Sequence, residues 1–193
     1  MSLNLFIIGP SGCGKSTQAK LIATKFGLTH LSMGQLFRDE IAAGSVEGLQ
    51  AKVYLDGGNL VPEELSYKVL TNALVKINNK DFIIDGFPRT FLQGQFIENY
   101  LTTQNESLDL IIHLDVTFDE IQTRRAAMGA EFQDKNRTDN TPQAMASRQK
   151  FYDENNGLIM NYFQPKNLIF RVNGNRPIEP IFADIDQKIS TLK

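Results

Sequence analysis

Close to its start the chain runs Leu3 to Ile8, apolar and β-branched, into Gly9-Pro10-Ser11-Gly12-Cys13-Gly14-Lys15-Ser16, and a stretch of helical spacing follows. This is G-x-x-x-x-G-K-[ST] with a strand before it and a helix after it, the setting the motif needs. No other feature narrows the fold as much. Glycines let the backbone curl until successive N–H groups face one point, and the next helix adds the positive end of its dipole, so the loop suits phosphates. In that reading Gly12, Cys13 and Gly14 supply backbone, and Lys15 reaches the phosphoryl group in transfer. The hydroxyl of Ser16 or Thr17 holds Mg2+, directly or through water. The plain alternative is a glycine-rich turn that merely joins strand to helix. The full match in context favours nucleotide binding, with Cys13 mattering for its backbone more than its thiol.

Further strand signals lie at Asp81 to Ile84, Leu110 to Leu114 and Leu168 to Val172, with a short extra strand at Leu28 to Leu31. Helical spacing fills the intervals. It is clearest in Ile178, Ile181, Phe182, Ile185, Ile189 and Leu192, which trace one face. Alternating strands and helices predict an α/β fold: three layers, αβα, around a five-stranded parallel sheet whose ligands bind beyond the carboxyl ends of the strands. A chain of 193 residues, 41% hydrophobic, fits one such domain over 1–193. Residues 32–61 and 129–140 fit the alternation poorly and read as mobile inserts over the sheet's edge. A net charge of −2 gives no reason to expect nucleic acid or an acidic membrane as partner, so anion binding must come from locally placed arginines. The single cysteine excludes an intrachain disulfide and a four-thiolate zinc site. The first residues lack a signal-peptide pattern and no apolar run approaches about 20 residues, so a soluble cytoplasmic protein is expected.

The third main strand leads into Asp85-Gly86-Phe87-Pro88-Arg89-Thr90-Phe91-Leu92-Gln93. This D-G-F-P-R-T-x-x-Q run, with the phosphate loop, resembles the signature of the adenylate kinases, within the nucleoside monophosphate kinase family. The resemblance implies ATP, AMP and ADP as partners, Mg2+ as cofactor and a monomer. It implies that Asp85 anchors the water shell of Mg2+ and that Arg89 grips the acceptor's phosphate through its planar fork. Gln93 would read the adenine edge, since an amide offers a donor and an acceptor together. Gly86, Phe87 and Pro88 would line the same acceptor site, with a cis bond before Pro88. The related UMP/CMP kinases usually carry Asn-x-x-Asn where this chain has Thr90 and Gln93, which favours AMP.

Leu31-Ser32-Met33-Gly34-Gln35-Leu36-Phe37-Arg38 resembles that family's acceptor segment L-S-T-G-D-L-L-R, which makes Arg38 a second clamp on the AMP phosphate. Met33 stands for the usual threonine beside the base and Gln35 for the usual aspartate. Asp56 to Pro62 matches D-x-G-x-L-V-P, so Asn59, Leu60 and Val61 are expected along the acceptor base, with Pro62 at the first position of the next helix. Arg124, Arg137, Asp139 and Arg148 resemble the family's short lid pattern, in which Arg137 and Arg148 meet the charge of the migrating phosphoryl and Arg124 lies over the ATP adenine. Arg176, in Asn173 to Pro177, is expected beside that base. Asn140 departs from a usual aspartate and Met128 from a common arginine. His30 and His113 show no metal-ligand spacing and read as structural. The resemblance implies reversible phosphoryl transfer from ATP to AMP. Its rivals are a kinase for UMP, CMP or another monophosphate, and a nucleotide-binding paralogue with weak chemistry.

Overall fold

Strand β1 (Asn4–Ile8) is buried along its whole length, which requires cover on both faces and a place inside the sheet. In the computed structural model, which describes residues 2–57, 59–127 and 142–192, it is the middle strand of five. The others are β2 (Thr29–Ser32), β3 (Phe82–Asp85), β4 (Leu110–Asp115) and β5 (Ile169–Asn173), in the order β2-β3-β1-β4-β5 with every pair parallel. Parallel neighbours need crossovers, and these are supplied by α1 (Lys15–Phe26), α4 (Glu63–Lys76), α5 (Phe91–Thr103), α6 (Phe118–Ala127) and α7 (Pro142–Phe163), with α8 (Ile178–Ser190) last. Between β2 and α4 stand α2 (Met33–Ala42) and α3 (Val46–Asp56). The expected three-layer αβα sheet is therefore observed.

Side-chain alternation along the strands divides the core in two. Phe6, Ile8 and Ile84 face a cluster with Leu70 and Leu74 of α4, Ile97 of α5 and Phe163 of α7. Leu5, Ile7, Ile83 and Ile112 face the opposite cluster, with Ala19 and Ile22 of α1 and Ile181, Ile185 and Ile189 of α8. The predicted α8 stripe holds except at Ile178, which is 49% exposed because it opens the helix; its carbonyl accepts from Gln18 Nε2 at 3.0 Å. Each strand boundary lies within a residue of its expected place. Strand β2 starts at Thr29 because Leu28 N–H still closes the end of α1 on Ala23 O, after Gly27 in the left-handed region. Pro62 precedes α4 rather than opening it, with an extended ψ of 145°.

The end of α7 is braced to α5. Tyr162 Oη donates to Glu98 Oε2 at 2.5 Å, Lys166 pairs with the same oxygen, and the ammonium lies 3.9 Å from the Tyr162 ring centroid. Burial pushes the Glu98 carboxyl up, but the bonds from Lys166 and Tyr162 outweigh it and hold the group below its ordinary 4.5. A carboxyl lowered on folding stabilises above its unfolded value and loses that contribution as pH falls through the folded one. Glu98→Gln should therefore lower the urea midpoint at neutral pH and differ less from the parent well below pH 4.5, in parallel denaturation series.

Candidate active site

Where β1 ends, the loop must pass against β4: a Cβ on Gly9 would lie 2.7 Å from Leu114 O, so only glycine fits. The loop then enters α1 at Gly14. Lys15 Nζ donates to the carbonyls of Gly9 (2.9 Å) and Pro10 (2.7 Å), which holds the ammonium over the loop. Arg124, from α6, ties this loop to the turn after β5. Its Nη1 donates to Cys13 O at 3.2 Å, its Nη2 to Gly174 O at 2.5 Å and Arg176 O at 3.0 Å, and its Nε to Glu120 at 2.8 Å. Most of the guanidinium N–H groups are thus engaged by carbonyls and a carboxylate, so a base would meet chiefly its planar face. Arg176 is likewise anchored, to Asn173 O and Asp184.

Parallel pairing sets Asp85 beside Ile7 on one side and Ser32 on the other, at the carboxyl edge. It is 4% exposed, and Ser16 Oγ donates to its Oδ2. His30 Nε2 stands 3.9 Å from the same oxygen, so this histidine, read as structural from the sequence, belongs to the neighbourhood of the site. Burial pushes the Asp85 carboxyl up. The His30 imidazole, the Lys15 ammonium and the Ser16 hydroxyl overcome that and hold it below the usual carboxylate value. A buried ionised carboxylate touching a hydroxyl at the phosphate loop is a hard oxygen donor set, and it suits Mg2+, which takes one or two carboxylates and keeps its waters. Thr17 is exposed and lines neither cavity described below, so of the two hydroxyls it is Ser16 that meets Asp85.

Next to the loop lies a cavity of about 530 Å³, walled by Met33, Phe37, Leu55, Val61 and Phe87 and edged by Arg38, Asn59, Leu60, Ser66, Arg89 and Gln93. Met33 is 3% exposed, so this departure from the family pattern is part of the wall, and Gln35, the other departure in the same segment, lines the cavity too. Arg38 donates through Nη2 (2.7 Å) and Nε (3.2 Å) to Gln35 Oε1, whose amide nitrogen reaches Asp39. Arg89 Nε donates to Gly86 O at 2.9 Å, and Gly86 sits at φ +84° with space for a Cβ only 3.4 Å from Arg89 Nη2. The Phe87–Pro88 bond is cis, as the resemblance implied. Gln93 is 1% exposed, and its Oε1 accepts the Arg89 N–H at 2.7 Å. Its carboxamide oxygen therefore has a backbone partner already, which a two-bond grip on a base would have to share.

A second cavity of about 290 Å³ shares Arg38, Asn59, Leu60, Gly86, Arg89 and Arg148 with the first and extends to Gly12, Lys15, Ser16, Asp85 and Pro88. The two are ends of one cleft, with Arg38, Arg89 and Arg148 at the junction. One turn beyond Arg148 on α7, Tyr152 lines the same cleft, and its hydroxyl bonds His113 Nε2 at 2.8 Å. Sequence reasoning passed over Tyr152, although its step of four from Arg148 is a helical neighbour spacing. Burial lowers His113 and outweighs the nearby Asp115, so the imidazole stays neutral against that hydroxyl. Met128, Arg137, Asp139 and Asn140, with the insert 129–140, lie outside the described residues. Among the described residues no helix is long and apolar enough to cross a membrane, and no three His, Cys, Asp or Glu side chains gather as a metal cage.

A family model described as adenylate kinase matches residues 7–168. An adenylate kinase of Geobacillus sp. (strain WCH70) is 32% identical over 99% of this chain and 100% of its own. One of Prochlorococcus marinus (strain NATL2A) is 33% identical over 98% of this chain and 100% of its own, and one of Clostridium novyi (strain NT) is 32% identical over 97% and 98%.

Proposed function

The chain belongs to the adenylate kinase family, and from that premise we propose that it transfers a phosphoryl group reversibly from ATP·Mg to AMP, giving two ADP, as a cytoplasmic monomer. The observation that carries this reading is one cleft with cationic side chains at both ends, Lys15 and its loop at one and Arg38 with Arg89 at the other. A protein that only hydrolyses ATP has no need of the second end.

In this reading the backbone of Gly12 to Thr17 and the Lys15 ammonium take the ATP phosphates, while Arg124 and Arg176 flank its base. Arg38 and Arg89 take the AMP phosphate, and the base lies along Met33, Asn59, Leu60, Val61 and Phe87, with Gln93 presenting its amide. Both reactants are then aligned with water largely displaced, which is most of what phosphoryl transfer asks of a protein. Arg148 at the junction meets charge that spreads over the migrating group, and Arg137 is given the same task on the resemblance. No side chain need act as a strong base. Ser16 and Asp85 would hold Mg2+, with Thr17 as a further hydroxyl, and the ion when bound neutralises charge on the phosphate oxygens.

Buried Met33 in the acceptor wall favours a second reading, transfer to another monophosphate such as UMP or CMP. Purified protein given ATP and Mg2+ with AMP, UMP, CMP, GMP or dTMP in turn separates the two. ADP formation strongest with AMP is the expected result. A pyrimidine preference would move the assignment to the sister kinases, and binding without turnover on any acceptor would sink the catalytic reading.

A further inference from the structure

Glu63 opens α4, directly after the segment 32–61, and its sequence setting suggests no more than an acid near a helix N-terminus. The structure gives each of its carboxylate oxygens a specific partner. Oε1 accepts from Thr90 Oγ1 at 2.6 Å across 27 residues of sequence, and Oε2 from Tyr67 Oη at 3.3 Å. Having committed its one proton to Glu63, the Thr90 hydroxyl turns a lone pair to the N–H of Gln93 at 3.1 Å, which caps α5. Gln93 Oε1 in turn accepts the N–H of Arg89 at 2.7 Å. The bonds form a relay from Glu63 through Thr90 to the Gln93 backbone, which continues from the Gln93 side chain to the Arg89 backbone.

Tyr67 fastens the other side. Its ring stacks on Phe96 at 3.7 Å and meets Phe87 edge-on at 6.5 Å, so the start of α4 is tied to the Gly86 to Pro88 turn as well. Burial first, and then the Glu63 charge, push the Tyr67 phenol up to about 12, which keeps it a donor throughout the working range.

We infer that Glu63 is a positioning residue for the acceptor nucleotide, coupling the acceptor segment to the clamp formed by Arg89 and Gln93. The inference rests on the reading of that clamp as the AMP site. Charge makes the Thr90 bond strong, and partial burial keeps water from replacing it. An acid that merely complements the helix dipole would affect stability slightly and nucleotide binding not at all.

The test is calorimetric titration of AMP and, separately, ATP into the parent, Glu63→Ala, Glu63→Gln and Thr90→Val, with urea midpoints to establish that each is folded. AMP affinity should fall about tenfold in Glu63→Ala, the worth of one charge-assisted hydrogen bond, while ATP affinity stays within about twofold. Glu63→Gln keeps a carbonyl oxygen for Thr90 without the charge and should recover about half of the loss, leaving AMP about threefold weaker than in the parent. Thr90→Val should weaken AMP as Glu63→Ala does, so the inference stays open to test if Glu63→Ala fails to fold. Unchanged AMP affinity in Glu63→Ala, equal losses for ATP and AMP, or no rescue by glutamine would each overturn the inference. Binding is read apart from turnover: a parent that binds AMP without transferring phosphate would refute the kinase reading and leave the relay to be judged by these affinities. A parent that binds no AMP would refute both.

Discussion

Arg89→Ala should lower kcat/KM for AMP by about 10³-fold or more while leaving the urea midpoint close to that of the parent. The size follows from chemistry in which little covalent help is available and one well-placed arginine is worth about 10³ to 10⁵ in rate. The preserved stability follows from position. Arg89 is exposed, and the N–H that Gln93 accepts is backbone and survives the substitution. Arg89→Lys should recover little, because a compact ammonium cannot span two phosphate oxygens as a planar fork does. ATP binding measured without AMP should hold in both variants, since the phosphate loop is untouched. A variant that kept most of its AMP turnover would remove Arg89 from the acceptor site and, with it, the main support for the two-ended cleft.

Asp85→Asn is expected to weaken the apparent Mg2+ affinity by about 10 to 100-fold, the usual cost of altering a group that holds a metal's water shell. The amide is nearly isosteric and still offers an oxygen to Ser16, so the fold should persist. Binding of ATP without the metal should be equal or tighter, because a negative charge beside Lys15 has gone. The pH behaviour distinguishes this from a general structural lesion. Asp85 is held below its ordinary 3.8 on folding, so its contribution to stability is present above about pH 3.8 and lost as pH falls through the folded value. In the parent, then, no acid limb of the rate profile at milder pH should belong to Asp85. A Mg2+ titration of turnover at several pH values checks both statements, and an unchanged midpoint would take the cation away from Asp85.

How far the chain can be read before it folds differs from one part to another. The phosphate loop, the strand runs and the D-G-F-P-R-T-x-x-Q turn are local signals, because a strand needs its alternating or continuous apolar residues and a tight loop its glycines. Those parts were legible to within a residue: β3, expected to end at Ile84, ends at Asp85. The cis bond before Pro88 came from the family resemblance alone. What depended on neighbours in space was not. His30 gives no hint in sequence that it lies 3.9 Å from Asp85, because parallel pairing of β2 with β3 is what brings them together. Arg124 reads as a helix charge beside an acid, and it does pair with Glu120, but its bonds to the carbonyls of Cys13, Gly174 and Arg176 come only from the packing of distant segments.

The sequence by itself determined the class of fold and the anion-binding loop, since both follow from local backbone geometry, and the family resemblance supplied the side chains proposed for the acceptor's phosphate. The tertiary structure alone decided which hydroxyl meets Asp85, which atoms of Arg124 and Gln93 are already engaged, and that Glu63 reaches Thr90. Hydrogen-bond partners far apart in the chain are chosen by strand order and helix packing, and a buried polar group must take whichever partner the packing delivers.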